Sequence, residues 1–216
     1  GTVFLKVDEP LEALQTLAAY HRGRFNIPVV GITGSNGKTI VKEWLYQLLS
    51  ADHTIVKSPR SYNSQIGVPL SVWQMNEGHS LAIFEAGISV PGEMQKLAGV
   101  IPPTVGILTN IGEAHNEGFI DYPHKFSEKL KLFLGCDCVI ARRKEVNASR
   151  EMLESELNTK FLTWGVAAEN DFVVDSISKY EIKFFALISC YPFIRIGQQK
   201  FNPVIIDVFL CHINQQ

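Results

Sequence analysis

Long hydrophobic runs, a large charge excess and a cysteine framework are all absent from this 216-residue sequence. No stretch approaches the roughly 18 apolar residues of a transmembrane helix, so we expect no bilayer span. The 20 basic and 22 acidic side chains nearly balance, which gives no field that would recruit nucleic acid or anionic membrane. The four cysteines include one close pair, Cys136 and Cys138, whose spacing suits neither zinc nor a redox pair. No secretory signal precedes them, so we expect a cytoplasmic protein, and a start at Gly1 is typical of a piece of a longer chain.

The sequence does contain a repeated alternation of short apolar runs and amphipathic segments of helix length. Strands are predicted at residues 28–33, 54–56, 81–84, 105–108, 138–140 and 161–162. Helices are predicted at residues 10–20, 41–49, 68–75, 91–97, 126–134 and 148–157. Continuous apolar strands separated by helices are typical of a parallel sheet that is covered on both faces. The sequence therefore predicts a three-layer α/β domain with a mostly parallel sheet.

The last 40 or so residues lack this alternation. Segments 182–191 and 201–210 are apolar and aromatic, with weak turn signals and no helical period. Two interpretations of this tail remain open: antiparallel edge strands, or the aberrant end of a truncated reading frame.

The loop between the first predicted strand and the following helix has the composition of a phosphate-binding turn. Residues 33–39 read Thr-Gly-Ser-Asn-Gly-Lys-Thr. Two glycines allow the backbone N–H groups to approach phosphate oxygens at the positive end of a helix. Lys38 is placed to reach the outer phosphates, and the Thr39 hydroxyl is a suitable Mg²⁺ ligand. The general pattern G-x-x-x-x-G-K-[ST] departs only at its first glycine, where Ile32 stands.

Four segments in this order resemble the Mur ligase family of ATP-dependent, amide-bond-forming enzymes that assemble the peptidoglycan stem peptide. Besides 33–39 they are 63–69 (Asn-Ser-Gln-Ile-Gly-Val-Pro), 84–87 (Phe-Glu-Ala-Gly) and 109–115 (Thr-Asn-Ile-Gly-Glu-Ala-His). The second segment is similar to the branch of the family that adds D-Ala-D-Ala. The resemblance runs from about residue 8 to about residue 175 and is greatest to the Bacteroidetes type of that branch, which can be fused to alanine racemase.

The resemblance implies a set of site residues for ATP, for Mg²⁺ and for the substrate. The implied metal ligands are Thr39, Glu85 and His115, and His115 is also implied in catalysis with Lys38. The nucleotide is expected to contact Thr33, Gly34, Ser35, Asn36, Gly37, Lys38, Thr39 and Asn110. Asn63 and Ser64 are implied to face the substrate, although the family carries a second asparagine where this chain has Ser64.

The family also uses a carbamylated lysine, whose formation from CO₂ requires an uncharged amine. Three lysines, Lys125, Lys129 and Lys131, lie in the segment that corresponds to it. The family pattern of a lysine followed by two residues, a leucine and an aromatic fits Lys129 best. A solvated lysine beside Glu128 is the competing interpretation of the same residue.

The function that the resemblance implies is ATP-driven addition of D-Ala-D-Ala to UDP-N-acetylmuramoyl-tripeptide through an acyl phosphate, a step of cell-wall synthesis. Residues 1–25 would then end a substrate-binding domain, 26–175 would form the central ATP-binding domain, and 176–216 would be the uncertain tail. The family's closing C-terminal domain is not evident, so we expect the chain alone to bind Mg-ATP and to ligate poorly. Three alternatives remain: a Mur-type ligase for another amino acid, a nucleotide-binding module, and a non-functional remnant.

Overall fold

The computed structural model of this chain describes residues 4, 6–112, 118–148, 159–177, 182–185, 195–196 and 199–200. Within these residues the main sheet has eight strands: β1 Val29–Thr33, β2 Ile55–Lys57, β3 Leu81–Glu85, β4 Val105–Leu108, β5 Cys138–Arg142, β6 Lys160–Gly165, β7 Phe172–Ile177 and β8 Ile182–Phe185. Two further short strands, β9 Arg195–Ile196 and β10 Gln199–Lys200, pair with each other.

The order of strands across the main sheet is β2-β3-β1-β4-β5-β6-β7-β8. Every neighbouring pair from β2 to β7 is parallel. β8 pairs antiparallel with β7, which is the geometry that the edge-strand interpretation of the tail predicts for residues 182–185. Segment 201–210 lies outside the described residues. The predicted mostly parallel sheet is confirmed.

Helices cover both faces of this sheet. They are α1 Pro10–Gly23, α2 Lys38–Leu49, α3 Gly67–Val72, α4 Glu93–Val100, α5 Tyr122–Leu130 and α6 Arg143–Ala148, with a 3₁₀ turn at Lys131–Phe133. Alternate residues of β1 point to opposite sides, so Val30 and Ile32 pack with α2 while Val29 packs into the core below α1, α3 and α4. The three-layer arrangement that the sequence predicts is therefore confirmed.

Helix boundaries differ from the predicted ones where capping decides them. α5 begins at Tyr122 rather than at Phe126, because the Asp121 carboxylate accepts a hydrogen bond from the His124 N–H at 2.8 Å and Pro123 suits the first turn. Most of the helix predicted at 148–157 lies outside the described residues. No helix in the described part of the chain is both long enough and apolar enough to cross a membrane.

The first helix packs on the sheet domain. α1 contacts α3 and α4, and Ala18 is completely buried in the core that these helices share with the sheet. The assignment of residues 1–25 to a preceding domain stays a prediction, as do the other two domain boundaries.

Candidate functional site

The candidate site lies at the carboxyl edge of the sheet, where β1, β3 and β4 end side by side. β1 pairs with β3 on one side and with β4 on the other, so the three ends bring together residues that are distant in sequence. In open parallel sheets this edge is the usual place for a ligand, because the loops leave a crevice there. The loop 34–37 fills the connection from β1 to α2, as the sequence predicts.

The loop needs glycine at two positions. Gly34 has φ +143° and Gly37 has φ +81°, both in the region that L side chains rarely adopt. A Cβ on Gly34 would overlap the Thr109 hydroxyl and would lie 2.9 Å from the Asn110 carbonyl oxygen. Nothing stands within 4 Å of the corresponding position on Gly37.

These two glycines give a matched pair of substitutions. Gly34→Ala is expected to lower the free energy of unfolding by ~3 kcal/mol or more, because backbone strain and overlap with Thr109 add. Gly37→Ala carries only the strain and is expected to cost ~1–2 kcal/mol. Urea unfolding followed by circular dichroism measures both values, and equal effects would contradict the assignment of the overlap to Gly34.

Residues at the end of β4 hold the loop in place. The Thr109 hydroxyl donates to the Asn36 carbonyl at 2.6 Å. The Asn110 carbonyl accepts from the Ser35 N–H at 2.7 Å, and the Asn110 side-chain oxygen accepts from the Asn36 N–H at 2.9 Å. Ser35 also bonds through its hydroxyl to the Gly112 N–H at 3.0 Å. Asn110 therefore positions the loop in this structure, and a direct contact between Asn110 and a nucleotide stays a prediction.

Lys38 and Thr39 begin α2 and turn back toward the loop and the sheet. The Lys38 ammonium donates to the carbonyls of Gly34 at 2.9 Å and Ser35 at 3.2 Å. Burial lowers the pKa of Lys38, while the nearby charge of Glu85 raises it. The Thr39 hydroxyl donates to a Glu85 carboxylate oxygen at 2.9 Å. The predicted partners Lys38, Thr39 and Glu85 thus lie together, although they come from two elements.

Glu85 is the last residue of β3 and its side chain has no solvent exposure. Besides Thr39 it is bonded to the ammonium of Lys42, 3.3 Å from Oε1, and Lys42 is equally buried. The Glu85 N–H donates to the Ser58 hydroxyl at 3.2 Å. Thr33, at the end of β1, uses its hydroxyl internally by donating to the Ala86 carbonyl at 2.9 Å.

Two lysines of α5 reach the segments that follow β1 and β4. The Lys129 ammonium donates to the Gly34 carbonyl at 3.3 Å, and the Lys125 ammonium donates to the Gly112 carbonyl at 2.6 Å. Burial lowers the pKa of both groups. For Lys129 the charges of Lys38 and Lys125 act in the same direction, and its pKa falls to about 7. Lys131 instead pairs with Glu128 and is 30% exposed, so it lies apart from this cluster.

The low pKa of Lys129 predicts a pH-dependent stability. Below pH 7 the amine is charged in both the folded and the unfolded protein, and burying this charge lowers the free energy of unfolding by its full amount. This loss of stability shrinks as the pH rises above 7 and disappears near 10.5, the ordinary pKa of a lysine. In CO₂-free buffer, Lys129→Met is expected to raise the free energy of unfolding at pH 6 by at least ~1.4 kcal/mol, the equivalent of one pKa unit. Urea titrations at pH 6 and pH 9.5 measure the difference, which should shrink at the higher pH, and Lys131→Met serves as the control.

A cavity of about 430 Å³ opens beside the loop and contains several of the predicted site residues. Its lining includes Gly34, Lys38, Asn63, Ser64, Lys125 and Lys129. The Asn63 carbonyl accepts from the Gly87 N–H at 2.7 Å, which fixes this segment next to the end of β3. The Ser64 hydroxyl accepts from the Gly67 N–H at 3.2 Å at the start of α3. A role for either side chain in substrate binding stays a prediction.

Sequence reasoning did not find every group at this site. Lys42 is one such residue, and the amide pair of Gln15 and Gln65 is another. The Gln15 side chain of α1 donates to the Gln65 side chain at 2.9 Å, and Gln65, which lines the cavity, donates to the Glu93 carbonyl at 3.1 Å. A lysine four residues after Lys38, on the same helix face, is the only signal that could have indicated Lys42. His115, predicted as a metal ligand and catalytic group, lies outside the described residues.

Comparisons with known proteins match this domain. A family model described as "Mur ligase middle domain" matches residues 32–195. The UDP-N-acetylmuramoyl-tripeptide–D-alanyl-D-alanine ligase of Bacillus subtilis (strain 168) is 30% identical over 177 residues, which make up 81% of this chain and 38% of that protein. The protein of the same name from Synechocystis sp. is 40% identical over 109 residues, or 50% of this chain and 24% of that protein.

Solved structures show the same fold. The MurF ligase from Thermotoga maritima in complex with ADP superposes with a TM-score of 0.74 at 28% identity, covering 85% of this chain and 45% of that one. MurF from Acinetobacter baumannii gives a TM-score of 0.71 at 27% identity, covering 81% and 38%. The chain thus spans less than half the length of each of these relatives.

Proposed function

We propose, since the chain belongs to the Mur ligase middle domain family, that it forms the ATP site of a ligase that joins D-Ala-D-Ala to UDP-N-acetylmuramoyl-tripeptide. The observation that carries the proposal is the meeting of Lys38 and Thr39 with Glu85 at the carboxyl edge of three adjacent parallel strands. The choice of substrate rests on the names of relatives that are 30% to 40% identical.

The loop 34–37 and the start of α2 supply backbone N–H groups for a triphosphate, apart from those of Ser35 and Asn36, which are bonded to Asn110 in this structure. The left-handed glycines of the loop keep the approach clear of side chains, and α2 begins directly behind it with its positive end toward the loop. In this structure Lys38 bonds to the carbonyls of the loop itself. Because Lys38 lines the cavity, its ammonium is placed to exchange these carbonyls for phosphate oxygens. The ADP complex of the Thermotoga maritima relative supports this assignment.

The residues present fit a magnesium ion. The Thr39 hydroxyl and the Glu85 carboxylate are hard oxygen donors 2.9 Å apart, beside the proposed phosphate site. Among the described residues no group of three or more His, Cys, Asp or Glu side chains converges on one point. Mg²⁺ is commonly held by one or two protein oxygens together with phosphates and water. When bound, the ion offsets negative charge on the phosphoryl oxygens.

We assign Lys129 as the carbamylated lysine. Its pKa of about 7 leaves a large fraction of the amine uncharged at neutral pH, and only the uncharged amine adds to CO₂. The product replaces one positive charge by a negative one among Lys38, Lys125 and the loop. Removing an ammonium from this crowded cluster relieves its repulsion, so the surroundings favour the modification.

In the proposed reaction the terminal carboxylate of the tripeptide accepts the γ-phosphoryl group, and the amine of D-Ala-D-Ala then displaces phosphate. The cavity beside Lys38 has room for the reacting carboxylate, with Asn63 and Ser64 on its wall. Lys38 and Lys125 place positive charge where negative charge gathers during both steps. No side chain of this chain is required to form a covalent bond with the substrate.

Calorimetric titration of the 216-residue chain with Mg-ATP tests the proposal. Saturable one-site binding is expected, with a cooperative melting transition that rises in its presence. Absence of binding by a cooperatively folding sample would contradict the proposal. A sample that shows neither nucleotide binding nor a cooperative melting transition would favour the interpretation of the chain as a non-functional remnant.

A second experiment tests the substrate. The gene-encoded full-length protein is given UDP-N-acetylmuramoyl-tripeptide and a panel of amino acids and dipeptides, and phosphate release is followed. Of the amines in the panel, we expect only D-Ala-D-Ala to support phosphate release. Preference for another amine would indicate a different Mur-type ligase. We further propose a cytoplasmic location and membership of the Bacteroidetes type of this branch, which can be fused to alanine racemase. The genomic reading frame on either side of this segment would show whether such a fusion exists.

A further inference from the structure

Lys42 of α2 lies entirely inside the protein. Its side chain has no solvent exposure, which is unusual for a lysine and requires that the charge be compensated. Lys42 follows Thr39 by three residues and Lys38 by four, so the three side chains share one face of the helix. That face is directed at the end of β3.

The Lys42 ammonium has three N–H donors and lies close to three oxygen atoms. It lies 3.3 Å from Glu85 Oε1 and 3.3 Å from Glu43 Oε1, and it also donates to the Arg60 carbonyl. The contacts with Glu85 and Arg60 are hydrogen bonds and the contact with Glu43 is an ion pair, so all three oxygens compensate the buried charge. The site is therefore built around the cation, and a neutral side chain would leave all three oxygens without this partner.

The first of these oxygens belongs to the proposed magnesium ligand. A carboxylate without solvent contact is strongly disfavoured unless a positive charge and hydrogen bonds compensate it. Lys42 holds Oε1 of Glu85, and Thr39 donates to Oε2 at 2.9 Å. Two donors on one helix thus contact both oxygens of the Glu85 carboxylate and fix its orientation.

The Arg60 carbonyl belongs to a different part of the site. Arg60 has φ +46° and is the one non-glycine residue with positive φ in the described part of the chain. Such a backbone persists only where its surroundings hold it, and the hydrogen bond from Lys42 does so. Three residues later, Asn63 reaches the cavity wall and its carbonyl binds the Gly87 N–H just beyond Glu85.

We propose that Lys42 is a positioning residue that fixes the Glu85 carboxylate for magnesium and connects it to the loop that carries Asn63. The inference rests on the proposed function, because it concerns the same nucleotide and metal site. Lys42 touches neither ligand itself and acts through Glu85 and Arg60.

The test compares Lys42→Met with Lys57→Met in the complete 216-residue chain. Lys57 pairs with the same Glu43 but is 25% exposed and makes no bond to Glu85 in the described structure. Binding of the non-hydrolysable analogue β,γ-imido-ATP is measured by calorimetry over a range of Mg²⁺ concentrations and in excess chelator. For Lys42→Met we expect a tenfold or greater rise in the Mg²⁺ concentration at half-saturation. In excess chelator we expect the affinity of Lys42→Met for the analogue to change less than threefold. Lys57→Met should match the parent chain in both measurements.

A double substitution keeps the test decisive if Lys42→Met folds poorly. Lys42→Met combined with Glu85→Gln removes both buried charges, so it should melt cooperatively and show the same Mg²⁺ dependence as Glu85→Gln alone. Unchanged Mg²⁺ dependence in Lys42→Met, or additive effects in the double variant, would overturn the role of Lys42 while the parent's nucleotide binding stands. A parent chain that binds no nucleotide would overturn this role and the proposed function together.

Discussion

Replacement of Lys38 by methionine is expected to weaken Mg-ATP binding by about 100-fold. The Lys38 ammonium lies at the cavity and now makes two hydrogen bonds to loop carbonyls, at 2.9 Å and 3.2 Å. Two charge-assisted hydrogen bonds to phosphate, at ~1.5 kcal/mol each, correspond to about this factor. Methionine keeps the length and flexibility of the side chain but provides no donor and no charge. Isothermal titration calorimetry at constant Mg²⁺ measures the affinity directly.

Lys96→Met is the matched control for that experiment. Lys96 is 51% exposed and pairs with Glu12 at 3.5 Å on the surface, where an ion pair contributes little. Its substitution removes the same charge from the chain and should leave the affinity unchanged. Equal weakening by both variants would indicate that net charge alone attracts the nucleotide.

Replacement of Glu85 by glutamine is expected to raise the Mg²⁺ concentration at half-saturation by about 100-fold. Glutamine keeps an oxygen that can accept from Thr39, but it removes the negative charge that favours the cation. Affinity for metal-free ATP should stay the same or increase, because a negative charge near the phosphates is gone. Titrations with and without chelator separate the two effects.

The same substitution also has a cost in stability. Glu85→Gln leaves the buried ammonium of Lys42 without a main partner, and breaking such a pair typically costs 3–5 kcal/mol. Glu43→Gln is the control, since Glu43 also pairs with Lys42 but its side chain is 37% exposed. If Glu43→Gln raised the Mg²⁺ concentration at half-saturation as much as Glu85→Gln does, the assignment of Glu85 as the ligand would be contradicted.

The parts of the site that the sequence predicted are those that depend on short local patterns. The glycine loop follows a strand and precedes a helix, so its place in the fold is determined by neighbours in sequence. Glu85 and Asn110 each stand at or just beyond a strand end, and parallel strands bring such ends to one edge. The pattern of apolar runs therefore sufficed to predict the layers and the edge that carries the site.

The parts that the sequence did not predict depend on the order of strands. β1 lies between β3 and β4, and hydrophobic periodicity contains no information about that order. Only this order places Glu85 against α2 and makes Lys42 a buried ion-pair partner instead of a solvated lysine. Lys125 and Lys129 are likewise buried, with their ammonium groups bonded to the Gly112 and Gly34 carbonyls. Lys131, two residues further on, remains partly exposed.

The contribution of α1 could not be anticipated for a similar reason. Gln15 reads as an ordinary polar residue in an amphipathic helix, yet its side chain is buried against Gln65 at the rim of the cavity. An amide pair joined across 50 positions leaves no trace in local composition. Its partner becomes evident only when the helix is packed against α3 and α4.

The Gly34 carbonyl accepts hydrogen bonds from two ammonium groups, those of Lys38 and Lys129. Burial, together with the charges of Lys38 and Lys125, holds the pKa of Lys129 at about 7. A triphosphate that drew Lys38 away would remove one repulsion and add negative charge, and both changes would raise that pKa. The uncharged amine is therefore most abundant before the nucleotide arrives. We therefore expect CO₂ to add to Lys129 more readily in the nucleotide-free protein than in the nucleotide complex.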